Sequence, residues 1–213
     1  MENEYAGQYS LVEFISVSGL RQSVEQRLSD RLKGINLYLI GMMGVGKSTV
    51  GQLVAQSLGY QFFDTDAVIE QVAGQPIPSL FTEMGEVGFR DLESRVLAEL
   101  STYTRLAIAT GGGIVLRREN WGYLRHGVIV WLDVPIEQLQ QRLESDTTRP
   151  LLQGGDLATR LQTLWSQRRS LYAQADVHVG YEQGESPAQV AARVLDQVQQ
   201  VIQPEIEPQD YGN

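Results

Sequence analysis

The sequence predicts an α/β domain of three layers, a central parallel sheet with helices on both faces. Apolar runs of strand length alternate with helical stretches from about residue 35 to residue 202. Such alternation builds a parallel sheet, because each crossover brings the chain back to begin the next strand at the same end. Two of the runs end in glycine-rich turns, Gly41–Thr49 and Gly111–Gly113, and no internal repeat interrupts the pattern.

Each element follows from local composition. Residues 1–33 read as an N-terminal extension in which Leu20, Val24, Leu28 and Leu32 recur every four residues, the spacing of a short amphipathic helix. Gly34 stops it, and Ile35–Ile40 is a buried strand. A helix over Lys47–Leu58 ends at Gly59, and a short strand Gln61–Phe63 runs into Asp64-Thr-Asp66. The stretch Gly74-Gln-Pro-Ile-Pro78 interrupts helix, since prolines lack a donor and push their predecessors to extended conformations. A long helix is expected over Val87–Leu100, then strands Leu106–Ala109 and Val128–Leu132, with a helix from about Pro135. Residues 145–156 (SDTTRPLLQGGD) have the polar, glycine-rich composition of a mobile lid. A helix to about Tyr172, a strand Val177–Val179 and an amphipathic helix Pro187–Ile202 complete a domain at 34–202. Residues 203–213, acidic and with two prolines, read as a disordered tail.

At 213 residues and 42% apolar, the chain supports one well-buried core. It has no cysteine, which excludes a disulfide framework, a thiolate metal site and a cysteine nucleophile. A net charge of −9 offers no general attraction for nucleic acid or an anionic membrane. No apolar run approaches the roughly 18 residues of a membrane span, and Glu2, Glu4 and Glu13 precede the first basic residue, Arg21, against a secretory or transit leader. The chain is expected to be cytoplasmic and monomeric, with no nucleic-acid or membrane partner.

Gly41-Met-Met-Gly44-Val45-Gly46-Lys47-Ser48-Thr49 fits the P-loop pattern GxxxxGK[ST] between a predicted strand and a predicted helix. Glycines let backbone N–H groups turn toward phosphate oxygens, and the helix start adds its positive dipole end. Lys47 is expected to reach the β- and γ-phosphates of ATP and Ser48 to ligate Mg2+. A GTPase would need a guanine-specifying Asn/Thr-Lys-x-Asp, and none occurs. Asp133 ends a strand as a magnesium-binding aspartate does, and the plainer alternative is a cap for the helix at Pro135.

Asp64 and Asp66 lie two residues apart at the carboxyl end of the second strand, so both side chains can project to one side. Two carboxylates beside a phosphate loop suit two duties: one holds the metal or its waters, the other accepts the proton of an attacking hydroxyl. The alternative for Asp66 is a cap for a helix from Ala67. Lys47, Arg90, Arg142, Arg149 and Arg168 fall on segments that can face the same crevice. Glu93, three residues after Arg90 on a helix, can hold its guanidinium in one orientation, and such a two-pronged donor suits a substrate carboxylate.

The order of these elements resembles the shikimate kinases: P-loop, Phe63-Asp-Thr-Asp66, Gly85-Glu86 with Phe89-Arg90 and Glu93, a triple glycine after a strand, Arg149-Pro-Leu-Leu, and Arg168 ahead of Leu171-Tyr172. The resemblance covers about residues 34–200. It implies a three-layer P-loop kinase fold with a mobile lid, and an ATP-dependent transfer to the 3-hydroxyl of shikimate. By the same resemblance Asp66 contacts the acceptor hydroxyl as its base and Asp64 assists Mg2+ through water. Arg90, Gly111, Gly112, Gly113 and Arg168 hold shikimate. Arg149 is the lid arginine that closes on the phosphates, and Arg142 packs against adenine by cation–π contact. Pro78 and Glu185 depart from the family pattern, the first at the start of the acceptor lobe, the second in the Gly184–Pro187 loop beside adenine. Competing expectations are a kinase for another small polyol acid such as gluconate and a catalytically silent nucleotide-binding homologue. His126 and His178 show no spacing for a metal or a catalytic dyad, and Met42, Met43, Trp121, Trp131 and Trp165 suit packing.

Overall fold

A computed structural model of the chain describes residues 28–144, 156–182 and 184–202. The predicted alternation folds into five strands, β1 (Leu37–Ile40), β2 (Gln61–Asp64), β3 (Leu106–Ala109), β4 (Val128–Asp133) and β5 (Val177–Gly180), in the order β2-β3-β1-β4-β5. Every pairing is parallel. The central strands are continuous apolar runs because both faces are covered: β1 and β3 are buried at every residue.

Besides a helical segment at 28–32, seven helices surround the sheet among the described residues: α1 (Lys47–Leu58), α2 (Thr65–Ala73), α3 (Ile77–Leu100), α4 (Arg118–Leu124), α5 (Ile136–Leu143), α6 (Leu157–Tyr172) and α7 (Pro187–Val201). The first and last, α1 and α7, pack on each other and on the sheet, while α3 lies with α4, and α5 with α6. β1 has β3 on one side and β4 on the other, with Leu39 opposite both Ala109 and Val130. The loop after β1 therefore opens into the crevice at which strand order reverses, the usual ligand site of an open α/β sheet.

Several boundaries differ from expectation, each for a tertiary reason. β1 starts at Leu37 rather than Ile35, because the buried Asn36 side chain is used otherwise: it donates to the Tyr103 carbonyl (2.7 Å) and accepts from the Leu106 amide (2.9 Å). The long helix begins at Ile77 rather than Val87. Pro78 sits in its first turn, where no amide donor is required, and Gly85 (φ 68°, ψ 178°) breaks the helical path within it. A 3-10 turn (Ile114–Leu116) and α4 follow the triple glycine with no periodic signal in the sequence. They are held by buried side chains: Asn120 donates to the Ile114 carbonyl (2.8 Å) and the Trp121 indole to that of Val115 (3.0 Å).

Residues 28–32 are helical, and Leu28 and Leu32 belong to the core. Ser29 ties this turn to the end of α1 by donating to the Leu58 carbonyl (3.0 Å). Residues 1–27, the acidic tail and all of the predicted lid except Asp156 lie outside the described residues. Asp156 caps α6, accepting from the Thr159 amide (2.9 Å).

Deleting residues 1–33 is expected to cost about 4 kcal/mol more stability than deleting 1–27, since it strips two buried leucines worth roughly 2 kcal/mol each. Turnover below the melting temperature is expected to be equal in both truncations. Urea unfolding and a kinase assay on the same preparations check this, and equal stabilities would place the two leucines outside the cooperative core.

Candidate active site

The phosphate loop is shaped by close backbone approach. Gly41 has φ 139°, and a side chain there would begin 2.4 Å from the Leu132 carbonyl oxygen of the neighbouring strand. Gly46 (φ 96°) turns the chain into α1, whose first residue is Lys47. The Lys47 ammonium is buried and donates to the carbonyls of Gly41 (3.0 Å) and Met42 (2.8 Å), closing the loop around itself. Ser48 and Thr49 stand at the exposed start of α1, beside a cavity of about 390 Å3 that Gly44, Gly46, Lys47 and Asp64 also line.

Across that cavity β2 ends at Asp64. The helix that follows starts at Thr65, two residues earlier than the alternative reading of Asp66 required. Asp64 is therefore the cap: its carboxylate accepts from the Asp66 amide (3.0 Å). Its other oxygen accepts from the Ser48 hydroxyl. Ser48 and Asp64, hard oxygen ligands already in contact, fit a Mg2+ that keeps most of its waters and takes the rest of its shell from phosphates. Asp66, relieved of capping, sits in the first turn of α2 and lines both this cavity and a second one of about 510 Å3.

The second cavity holds the other predicted group. Arg90 donates to Glu93 (2.8 Å) and to Glu86 (3.3 Å). Arg168 donates to the Gly112 carbonyl (3.2 Å). Arg90, Glu93 and Arg168 are all buried, and Arg90 Nε, Glu93 Oε1 and Arg168 Nε have no protein partner among the described residues. Buried polar atoms of this kind call for a polar ligand or water. Burial raises the pKa of Glu93, while the Arg90 guanidinium opposes the rise.

The triple glycine is explained by this cluster rather than by left-handed backbone. A Cβ on Gly111 would lie 2.3 Å from Glu93 Oε1 and 2.9 Å from Asp66 Oδ1, and one on Gly113 would lie 2.3 Å from the Arg90 guanidinium carbon. The charged groups occupy the space that side chains on the loop would need. Thr65, buried inside the Asp-Thr-Asp motif, accepts from the Gly111 amide (2.9 Å) and fixes the start of the loop. No periodicity or motif in the sequence gives this threonine a role.

On the far side of the phosphate loop, Arg142 donates to the carbonyls of Gly44 (3.3 Å) and Val45 (3.4 Å), and its guanidinium lies 5.1 Å from the ring centre of Tyr181. Tyr181, a residue without sequence signal, thus covers one face of Arg142. Glu185, the departure noted in the adjoining loop, pairs with Arg193 of α7 (2.8 Å). Asp133 does not cap α5, whose cap position is Pro135; its carboxylate meets His178 Nε2 (3.1 Å), and His178 stacks on Trp131. Arg149 lies outside the described residues.

A parallel sheet in this order, a P-loop opening α1 and an acceptor-side cavity sharing its wall define a P-loop kinase of small molecules. A family model described as shikimate kinase matches residues 43–199, and the chain belongs to that family. The shikimate kinase of Nostoc punctiforme is 56% identical over 178 residues, 84% of this chain and 98% of the relative. A solved shikimate kinase from Acinetobacter baumannii, in complex with shikimate, superposes with a TM-score of 0.76 at 36% identity, covering 81% of this chain and 97% of that one. A gluconokinase from Sinorhizobium meliloti shares the fold alone, at 18% identity and a TM-score of 0.54, over 79% of this chain and 94% of its own.

Glu93→Ala leaves Arg90 buried with only Glu86 as an ionic partner, and removing one member of a buried pair costs about 3 kcal/mol. Urea unfolding is expected to show that loss at unchanged slope. A loss under about 1 kcal/mol, the size of an exposed pair, would mean that water reaches the guanidinium.

Proposed function

We propose that the chain transfers the γ-phosphate of ATP to the 3-hydroxyl of shikimate, releasing ADP and shikimate 3-phosphate for aromatic amino-acid biosynthesis. The observation that carries this reading is Asp66, which lines the phosphate-side and acceptor-side cavities alike. An acceptor hydroxyl at that junction lies between a carboxylate and the phosphate loop. The hydroxyl oxygen forms the new bond to the γ-phosphorus while the bond to the β–γ bridging oxygen breaks. The electron pair leaves with ADP, and the hydroxyl proton passes to Asp66.

The remaining residues bind, orient and neutralise. Lys47 exchanges the Gly41 and Met42 carbonyls for the β- and γ-phosphates, and the backbone of Gly44, Val45 and Gly46 cradles them with Thr49 at the helix start. Ser48 directly, and Asp64 through water, would hold Mg2+, which when bound would neutralise charge on the phosphates. Arg90 and Arg168 hold the shikimate carboxylate, and the orphaned Glu93 Oε1 together with Gly111–Gly113 faces its ring hydroxyls. Arg142, with one face on Tyr181, offers the other to adenine, and Arg149 is assigned to the lid by family resemblance.

The enzyme is read as a cytoplasmic monomer acting on small molecules, without nucleic acid or membrane. Its net charge of −9 supports the first exclusion, and no helix among the described residues is long and apolar enough to cross a membrane. A coupled ADP-release assay with shikimate, gluconate or neither tests the substrate, with light scattering for the monomer. Release with gluconate alone, or with no acid, rejects the proposal.

Asp66→Asn keeps the shape but removes the base, so kcat is expected to fall about 10²- to 10⁴-fold with little change in ATP affinity. Asp64→Asn is expected to raise the Mg2+ requirement, partly rescued by excess metal. Near-normal turnover in Asp66→Asn with irrecoverable loss in Asp64→Asn would reverse the two roles.

Lys47→Met is expected to abolish transfer while the far-ultraviolet circular dichroism stays unchanged. A melted variant would make Lys47 structural.

A further inference from the structure

Tyr172, the last residue of α6, is fully buried, and its ring stacks against Trp131 of β4 with centroids 6.0 Å apart. Its hydroxyl donates to the Gly112 carbonyl at 2.6 Å and lies 3.9 Å from the sulfur of Met42 in the phosphate loop. Arg168, one helical turn earlier, donates to the same carbonyl at 3.2 Å. One phenol oxygen therefore touches the backbone of the acceptor loop and a side chain of the phosphate loop. Gly112 lines both cavities.

We propose that Tyr172 is a positioning residue whose hydroxyl sets the Gly112 peptide and thereby the placement of the acceptor against the phosphate loop. The inference rests on the triple glycine being the acceptor cradle. Three consecutive glycines have no side chains to restrain them and a wide choice of backbone conformations, so an outside tie must select one. The peptide between Gly112 and Gly113 is planar and trans, as no cis bond occurs among the described residues. Holding its carbonyl on the Tyr172 side turns the Gly113 N–H to the opposite edge.

Arg168 alone is a poor anchor, because the bound acceptor competes for its guanidinium. Tyr172 lines neither cavity, so no ligand competes for its hydroxyl. Burial pushes its pKa up to about 12, against the opposing charge of Arg168, so it remains a donor across the range in which a kinase works.

Tyr172→Phe removes one oxygen and keeps the ring. The Gly112 carbonyl retains Arg168 as a donor, so no buried acceptor is orphaned and the fold is kept. The KM for shikimate is expected to rise about tenfold, the worth of one hydrogen bond, while the KM for ATP and the melting temperature change little. Trp131→Phe, which loosens the packing around the same ring without touching the hydroxyl, is expected to lower the melting temperature and leave the shikimate KM within twofold. If wild type phosphorylates shikimate and Tyr172→Phe keeps its shikimate KM within twofold, or if Trp131→Phe raises that KM as much, the hydroxyl has no positioning role. A wild type inactive on shikimate removes the functional reading and this inference with it.

Discussion

The turn after β1 and the turn after β3 lie backbone to backbone, and the rest of the site is arranged around that contact. The two strands are hydrogen-bonded neighbours, so their carboxyl ends emerge side by side. A Cβ on Gly112 would sit 3.4 Å from both the Gly41 carbonyl oxygen and the Met43 amide nitrogen. Adjacent strands thus present the phosphate turn and the triple-glycine turn to each other. Phosphoryl transfer depends mostly on in-line placement and charge neutralisation, and a rigid sheet supplies the placement.

Charge is concentrated where the protein as a whole lacks it. The chain carries a net −9, yet Lys47, Arg90 and Arg168 are all buried at this crevice. Burial of such groups is costly unless they are paired or find a ligand. Glu93 pairs with Arg90, and Lys47 is satisfied by its own loop. Arg90 Nε, Arg168 Nε and Glu93 Oε1 are left without a protein partner among the described residues, in side chains that line the second cavity.

The sequence by itself determined the elements whose cause is local. Apolar runs specified the three central strands, β3, β1 and β4, since parallel strands covered on both faces tolerate little else. The P-loop motif marked the phosphate turn, and the three-residue spacing of Arg90 and Glu93 marked a pair that a helix turn must bring together. What lies between distant segments was decided only by the tertiary structure. Asp64 rather than Asp66 caps α2, because the helix starts two residues earlier than a cap at Asp66 would require, and this leaves Asp66 for the cavity. Asp133 is drawn to His178 because β4 and β5 pair in register. The three glycines are required because Glu93, Asp66 and Arg90 arrive from other elements to fill the space of their missing side chains. Tyr172 and Tyr181 reach the two ends of the site from helix and strand termini far along the chain. Such contacts join residues tens of positions apart, and no periodicity or short motif encodes a distance that exists only once the sheet has formed.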